Sequence, residues 1–339
     1  MTMHVRAALL DQDLTLTVGE RELPDPVPGE ALVAVEWAGV CGSDLHVLRS
    51  GDWVRAWPAT LGHELFGRVA GCPGGEFPEG TPVVVDSRVP CGACAGCARG
   101  AQLCERLGWV GEVFPGGFAT HCVLPGKLLL PVPEELAGPL AALAEPLAVV
   151  LHGLGKASAA AAWWPAPDRV LLLGHGPIGA LAHVEAARRW PAAQVTVVEP
   201  APLRAQLATA FGARTLPGLA EVPADGGRGF DLVVDAAGYP GSLRDALGAA
   251  TRGGTVLLLA LAHGEAAVDP LEVVQRSLTI VGSNGFAGEL LEAVALLASE
   301  GWRYKPVVTD TVALDELPGF LNRQLQTPES VKALVACRT

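Results

Sequence analysis

The pattern of hydrophobic and polar positions changes along the chain near Pro139. Before that point, short apolar stretches recur at residues 31–38, 67–70, 82–85 and 119–124, and turns rich in Gly, Pro and Asp separate them. Short strands at this spacing are typical of a compact all-β domain. The pattern therefore predicts a β domain of barrel type in the first part of the chain.

After Pro139, continuous apolar strands alternate with helical stretches. This alternation predicts βαβ units with a parallel sheet that is buried on both faces. The predicted strands cover residues 169–173, 195–198, 230–235, 254–259 and 278–281. The predicted helices cover residues 178–190, 202–211, 241–250, 271–276 and 287–300. The fold class is therefore α/β, with a β domain and a doubly wound parallel sheet.

Composition and charge exclude several classes of protein. Of the 339 residues, 50% are hydrophobic and 18% are charged, which excludes a disordered chain. The net charge of −12 argues against binding to nucleic acid, which needs a basic face. No run of 18 apolar residues is present, so no membrane span is predicted. The N-terminus lacks the pattern of a signal peptide, so we expect a cytoplasmic protein.

A glycine-rich motif, GHGPIG, follows the predicted strand at residues 169–173 and opens the next helix. Gly174, Gly176 and Gly179 allow a tight turn in which the backbone approaches a pyrophosphate, and the helix N-terminus favours its negative charge. The next strand ends at Glu199, where an acid accepts hydrogen bonds from a ribose and repels a 2′-phosphate. The motif predicts an NAD site; the alternative is a glycine turn with a surface glutamate.

Four cysteines lie close together in the sequence CGACAGCARGAQLC. The residues are Cys91, Cys94, Cys97 and Cys104. Thiolates this dense can close a tetrahedral zinc site, and an all-cysteine site is structural. The alternative is four reduced thiols without a metal.

Two further short motifs supply a thiolate, an imidazole and a carboxylate. CGSDLH contains Cys41, and GHE contains His63 and Glu64. Each motif alone is weak, but together they form a plausible open zinc site. Glu145 is the only charged residue between Glu135 and Lys156, and a carboxylate in apolar surroundings is costly unless it is paired or bound to metal. Since Pro146 suits the first helical position, Glu145 is either a helix N-cap or a ligand of this zinc.

In this order, the motifs resemble the zinc-dependent medium-chain alcohol dehydrogenase family. The resemblance covers nearly the whole chain, from CGSDLH and LGHELFGRVAG through the four cysteines to AEPLAVVLHG and GHGPIG. The AEPLA sequence is similar to the polyol, sorbitol and threonine dehydrogenase branch, in which a glutamate replaces a cysteine ligand. The resemblance implies a GroES-like domain over residues 1–146, completed by 285–339, and a Rossmann domain over 147–284. It also implies an active site in the cleft between them.

The resemblance also implies roles for individual residues. Cys41 and His63 would bind the catalytic zinc, with Glu64 in or beside its coordination sphere and Glu145 binding directly or through water. Asp44 would orient the histidine that binds zinc. Ser43 and His46 would relay the substrate proton to solvent. The NAD site would comprise Gly174, Gly176, Pro177, Ile178, Gly179, Glu199 and Arg204.

Three of these residues have simpler interpretations. Ser43 fits a turn after Gly42, His46 fits a surface position, and Arg204 fits a solvated helix face. The chain also departs from the family in two places. The loop between Cys97 and Cys104 is one residue shorter than usual, and Thr120-His121 stands where the family tends to have Glu-Tyr.

The expected reaction is reversible oxidation of a secondary alcohol of a polyol, sugar or cyclitol to its ketone. The expected cofactors are NAD and two zinc ions per chain, one catalytic and one structural. Alternatives are an enzyme similar to L-threonine 3-dehydrogenase and a non-catalytic member with a structural or binding role. The expected partner is a small-molecule alcohol or ketone, and we expect a homodimer or homotetramer that pairs through the strand at 278–281.

Overall fold

The computed structural model describes residues 2–221, 229–262, 264–328 and 330–338. The chain divides into two compact units. The first comprises Met1–Glu145, Leu290–Pro328 and Lys332–Thr339, and the second comprises Pro146–Glu289 and Glu329–Val331. These boundaries differ by a few residues from those expected from the sequence.

The first unit is built mainly of β-strands. Its strands are β1 (Thr2–Leu10), β2 (Leu16–Pro24), β3 (Glu30–Gly39), β4 (Glu64–Gly71), β5 (Pro82–Val85), β6 (Arg88–Val89), β7 (Gly108–Trp109), β8 (His121–Pro125), β9 (Leu129–Pro131), β16 (Val308–Ala313) and β17 (Lys332–Ala336). Its helices are α1 (Gly42–Ser50), α7 (Glu289–Tyr304) and α8 (Leu317–Gln326).

One sheet organises the first unit. Its order is β16-β17-β3-β4-β5-β9, and β8 also pairs with β3. Strands β1 and β2 form an antiparallel hairpin. Val33 and Val35 of β3 and Val83 of β5 are fully buried in the core. The sheet therefore brings the C-terminal β17 beside β3, which belongs to the first part of the chain.

The second unit is a parallel sheet with helical connections. Its strands are β10 (Arg169–Leu173), β11 (Gln194–Val198), β12 (Arg214–Leu216), β13 (Phe230–Asp235), β14 (Ala250–Leu258) and β15 (Thr279–Gly282). Its helices are α2 (Ala144–Ala160), α3 (Pro177–Arg189), α4 (Pro202–Ala210), α5 (Ser242–Ala249) and α6 (Pro270–Gln275).

The six strands of the second unit lie in the order β12-β11-β10-β13-β14-β15, and all neighbouring pairs are parallel. Central strand β10 is almost entirely apolar and buried. Strands β11 and β12 extend the sheet on one side of β10, and strands β13 to β15 extend it on the other side. Ligands of such sheets bind at the carboxyl ends of the strands where the strand order reverses. The predicted parallel sheet is present, and Gly174 follows β10 at that point.

In the part of the chain that the structure describes, one helical segment is long and apolar enough to cross a membrane by length and composition. It spans Pro139–Ala160, and 72% of its most apolar window is buried within the protein. Its side chains Leu147, Leu151 and Leu154 are almost completely buried. Such burial is typical of a core helix.

Candidate active site

Strand pairing brings a cysteine, a histidine and a glutamate together in the first unit. Glu64 begins β4 and pairs with Gly39 at the end of β3. Cys41 lies two residues beyond Gly39, at the N-cap of α1, and His63 directly precedes Glu64. One potential ligand atom from each of Cys41, His63 and Glu64 lies within 4.8 Å of the others. We call these three residues the metal cluster.

Glu145 is buried near the metal cluster but is not part of the 4.8 Å group. Its Oε1 accepts a hydrogen bond of 2.6 Å from the Ser87 hydroxyl. Burial raises the pKa of Glu145 to about 7, while the charge of His63 opposes the shift. Helix α2 begins at Ala144, so Pro146 is not at the first helical position. The interpretation of Glu145 as an N-cap is therefore wrong.

Asp44 holds the backbone around the metal cluster. Its Oδ2 accepts from the Cys41 backbone N–H at 2.9 Å, and its Oδ1 accepts from the Gly62 N–H at 3.4 Å. The same Oδ1 lies 3.9 Å from His63 Nδ1, which is an ion-pair distance and longer than a hydrogen bond. Asp44 therefore lies at ion-pair distance from the histidine, and its hydrogen bonds go to the backbone on either side of the cluster.

The charges around the metal cluster are predominantly negative. Burial lowers the pKa of His63, but the hydrogen bond and charge of Cys41 and the charges of Asp44 and Glu145 outweigh it and raise the pKa well above its ordinary value. Lys332 is fully buried and forms an ion pair with Glu64.

The acidic groups of Cys41, Asp44, Glu64 and Glu145 thus face the basic groups of His63 and Lys332 in a largely buried region. Unbalanced buried charge is costly, so a divalent cation would stabilise this arrangement. The thiolate, imidazole and carboxylate donors of the metal cluster suit zinc.

The candidate proton relay lies on α1. Ser43 and His46 are three residues apart on this helix and therefore lie on neighbouring positions of one face. His46 Nε2 lies 3.1 Å from Asp52 Oδ2 and 3.3 Å from Ser50 Oγ. The imidazole also stacks on Trp53, with ring centroids 4.5 Å apart. Since its side chain is only 23% exposed, His46 is a partly buried, hydrogen-bonded residue and not a free surface histidine.

The four-cysteine lobe, comprising Cys91, Cys94, Cys97 and Cys104, brings its sulfur atoms together. All four lie within 4.8 Å of one another, and three measured Sγ–Sγ distances are 3.5, 3.8 and 3.9 Å. A tetrahedron with zinc–sulfur bonds of about 2.3 Å has sulfur atoms about 3.8 Å apart. The four thiols therefore match the dimensions of a zinc site.

The shortened loop of the lobe is accommodated by close backbone packing. A Cβ at Gly96 would lie 1.8 Å from the Leu103 carbonyl oxygen, so only glycine fits there. A short 3-10 helix over Ala101–Leu103 then leads back to Cys104. Backbone N–H groups of Cys91 and Arg106 donate to Cys104 Sγ at 3.2 and 3.4 Å. The missing residue therefore does not remove Cys104 from the group.

The glycine-rich loop of the second unit has the backbone geometry that the motif predicts. Gly174 has φ of +85°, and a Cβ at Gly179 would lie 2.1 Å from the Gly174 carbonyl oxygen. Gly176 is the N-cap of α3, where no side chain caps the helix, and Pro177 and Ile178 form its first turn. Among the described residues, the atoms that lie within 4 Å of a Cβ at Gly176 belong to the guanidinium of Arg204, at 3.6 and 3.9 Å. The loop thus leaves open backbone at a helix N-terminus, which fits a dinucleotide pyrophosphate.

Glu199 and Arg204 flank this loop. Glu199 is buried, so the interpretation of a surface glutamate is wrong; its two oxygens accept from the backbone N–H groups of His175 and Ala201, both at 2.8 Å. Arg204 Nε and Nη2 donate to the Ser330 carbonyl oxygen at 3.0 and 2.8 Å. Burial lowers the pKa of Arg204, while the charge of Glu199 opposes the shift. Arg204 is therefore not a solvated helix residue.

Known proteins match this chain over nearly its whole length. The alcohol dehydrogenase GroES-like domain matches residues 27–134, and the zinc-binding dehydrogenase domain matches residues 177–299. D-altritol 5-dehydrogenase of Agrobacterium fabrum is 32% identical over 322 residues, which cover 93% of this chain and 95% of that protein. The chain belongs to the zinc-dependent medium-chain alcohol dehydrogenase family.

The dehydrogenase is also similar to sorbitol dehydrogenase of Bacillus subtilis, with 29% identity over 98% of this chain and 97% of that protein. The crystal structure of a zinc-binding dehydrogenase from Sinorhizobium meliloti 1021 bound to NADP superposes with a TM-score of 0.88 at 28% identity, covering 98% of this chain and 99% of that one. These findings confirm the predicted fold class of a GroES-like domain and a Rossmann domain. They also confirm an oxidoreductase that acts on CH–OH groups with zinc and NAD(P).

Sequence reasoning missed two residues of the dehydrogenase that contact the candidate ligands. Lys332 Nζ donates to Glu64 and, at 2.8 Å, to the Val40 carbonyl oxygen. Ser87 donates to Glu145 from a fully buried position. A lysine inside the apolar strand Lys332–Ala336 was a usable signal, because such a charge is rarely buried without a partner. Ser87 carried no comparable signal.

Proposed function

We propose that the dehydrogenase interconverts a secondary alcohol of a polyol, sugar or cyclitol and its ketone, with NAD as the preferred cofactor. The observation that carries this proposal is the metal cluster, with the buried Glu145 beside it, in a chain whose relatives include proteins named for altritol and sorbitol. A cluster this complete also argues against a non-catalytic member of the family.

The proposed roles follow from the contacts of each residue. Cys41 and His63 would hold the catalytic zinc, with Glu64, paired with Lys332, in or beside its coordination sphere and Glu145 binding directly or through water. When bound, zinc would act as a Lewis acid on the substrate oxygen, and NAD would supply the acceptor for the hydride of the carbinol carbon. Asp44 fixes the backbone at Cys41 and places a negative charge beside His63. The four-cysteine lobe would hold a second, structural zinc.

A substrate screen tests the proposed function. NAD reduction by the zinc-loaded protein would be followed with sorbitol, altritol, cyclitols, butane-2,3-diol and L-threonine. We expect the largest kcat/KM for a polyol or cyclitol. A clear preference for L-threonine would contradict this substrate class, and no activity with any secondary alcohol would contradict the proposed reaction.

Cofactor preference depends on Glu199. A buried carboxylate at the end of β11 accepts hydrogen bonds from a ribose and repels a 2′-phosphate, so we expect kcat/KM for NAD to exceed that for NADP by about 100-fold or more. In Glu199→Gln this ratio should fall at least about tenfold, whereas Glu221→Gln, at an exposed position of the same unit, should leave it unchanged. Equal use of both cofactors by the wild type would show that this role of Glu199 is wrong.

We assign the substrate proton to Ser43 and then His46, from which it reaches solvent. Release of this proton is hardest at low pH, so His46→Ala should lower the rate of alcohol oxidation most at low pH, by about 10- to 100-fold. The control is His4→Ala, whose side chain is 58% exposed on β1. The measurement is the pH–rate profile of kcat. A His46→Ala profile that parallels the wild type would exclude the relay.

We propose a homodimer, or a tetramer built from dimers, that pairs through β15. This strand is at the edge of its sheet, and its Ile280 is 41% exposed. An uncovered apolar edge strand tends to pair with another chain. Light scattering at micromolar concentration checks the assembly, and a monomer would contradict it.

We propose that the protein acts in the cytoplasm. All eight cysteines are free thiols, and clusters of reduced thiols persist in reducing compartments. Cell fractionation checks this location, and recovery of the protein outside the cytoplasmic fraction would contradict it.

A further inference from the structure

Two buried histidines connect the glycine-rich loop to helix α3. His175 lies between Gly174 and Gly176 of the loop, and its Nε2 is 3.2 Å from Nδ1 of His183, which lies inside α3. Both side chains are almost completely buried. Burial lowers the pKa of His175 to about 3 and that of His183 to about 4, so both rings are neutral near neutral pH. A neutral imidazole has one donor and one acceptor nitrogen, so the two rings share one hydrogen bond. We call these residues the histidine pair.

Phe211 packs against both rings of the histidine pair. It is the C-cap residue of α4, and its ring centroid lies 6.0 Å from that of His175 and 5.6 Å from that of His183. The three rings meet edge to face, which aromatic rings favour at these distances. The side chain of His175 is thus held from α3 and α4. This anchoring matters because a glycine on each side of His175 gives the backbone more conformational freedom than other residues would.

The backbone of His175 holds one oxygen of Glu199. Its N–H donates to Glu199 Oε2 at 2.8 Å, and the Ala201 N–H donates to Oε1 at 2.8 Å. Each oxygen of an ionised carboxylate can accept two hydrogen bonds, so both oxygens keep the capacity to accept from a ribose hydroxyl. The orientation of the carboxylate depends on where the two N–H groups hold it. The position of His175 therefore affects the group that we expect to bind the ribose.

We infer that His175 and His183 are positioning residues of the NAD site: their hydrogen bond keeps the His175 N–H on Glu199 and so fixes the carboxylate that selects NAD. The inference rests on the proposed function, because it takes Glu199 as the acceptor of the ribose hydroxyl groups. Since both rings are buried, they act through Glu199 and not by contact with the cofactor. Loss of their hydrogen bond should therefore weaken the binding of NADH more than that of NADPH.

His183→Leu tests this role because it removes the hydrogen bond and keeps a side chain of similar volume. The Kd of NADH and that of NADPH would be measured by fluorescence titration, without turnover. We expect the Kd of NADH to rise about fivefold, and the ratio of the NADPH to the NADH dissociation constant to fall by about the same factor. His183→Asn places an amide near the position of Nδ1, so its Kd for NADH should return to within about twofold of the wild type.

The matched control is Val184→Ala, which opens a cavity at the next, buried residue of α3 without touching the hydrogen bond. It should lower the Tm and leave both dissociation constants unchanged. If Val184→Ala weakens NADH binding as much as His183→Leu does, loss of stability explains the effect and the role of the histidine pair is wrong.

A double-mutant cycle with Glu199→Gln tests whether the histidine pair acts through Glu199. In the Glu199→Gln background, His183→Leu should change the Kd of NADH by less than about twofold. An equal loss in both backgrounds, an unchanged Kd in His183→Leu, or no recovery in His183→Asn would each overturn the role of the pair. If His183→Leu does not melt cooperatively, His175→Phe replaces it in the same cycle. A wild type that binds NADPH as tightly as NADH would instead overturn the proposed cofactor preference, while the cycle would still decide the role of the pair.

Discussion

Cys41→Ala and His63→Ala are each expected to lower kcat by about three orders of magnitude or more. The reason is that a bound zinc would stabilise the negative charge of the transition state by roughly several kcal/mol. Binding of NADH should remain within about threefold of the wild type, since the glycine-rich loop is built entirely from the second unit. Kinetics, NADH fluorescence titration and elemental analysis would be run on each variant.

The control for this expectation is His4→Ala, which replaces an exposed histidine of the first unit. It should keep both its activity and its zinc. Normal turnover in Cys41→Ala or His63→Ala would exclude the zinc mechanism. Loss of NADH binding together with loss of activity would show that the replacement damaged the fold as a whole.

Zinc analysis of the wild type is expected to find two ions per chain. The four sulfur atoms of the lobe are already spaced as a tetrahedral zinc site requires. Cys104→Ser should therefore lose one zinc ion. Because a structural zinc contributes directly to folding, the variant should lose about 3 kcal/mol of stability, and its Tm should fall by roughly 5–10 °C.

Cys72→Ser is the matched control, because Cys72 lies outside the lobe and its thiol donates a hydrogen bond to Glu76. It should keep both zinc ions and the wild-type Tm. If the wild type holds one zinc ion per chain and Cys41→Ala loses that ion, the lobe with its shortened loop does not bind zinc.

Local sequence determined the elements and the compact motifs. The continuous apolar runs of β10 and β13 predict buried parallel strands, because both faces of a parallel sheet are covered by other elements. Gly174 and Gly179 specify the turn of this motif, because Gly174 has a positive φ and a Cβ at Gly179 would collide with the Gly174 carbonyl oxygen. Cys91, Cys94 and Cys97 are close in sequence and so need little tertiary help to meet. These features depend on neighbours within a few residues, which is why the sequence alone predicted them.

Tertiary structure decided which distant groups surround the metal cluster. Lys332 reaches Glu64 because β17 pairs with β3, an association between parts of the chain separated by almost 300 residues in sequence. Ser87 donates to Glu145, which is 58 residues away in sequence, a pairing that no local pattern specifies. The protonation and charge of these groups depend on burial and on their neighbours. For that reason, the sequence predicted the candidate ligands, but only the folded chain showed what pairs with them.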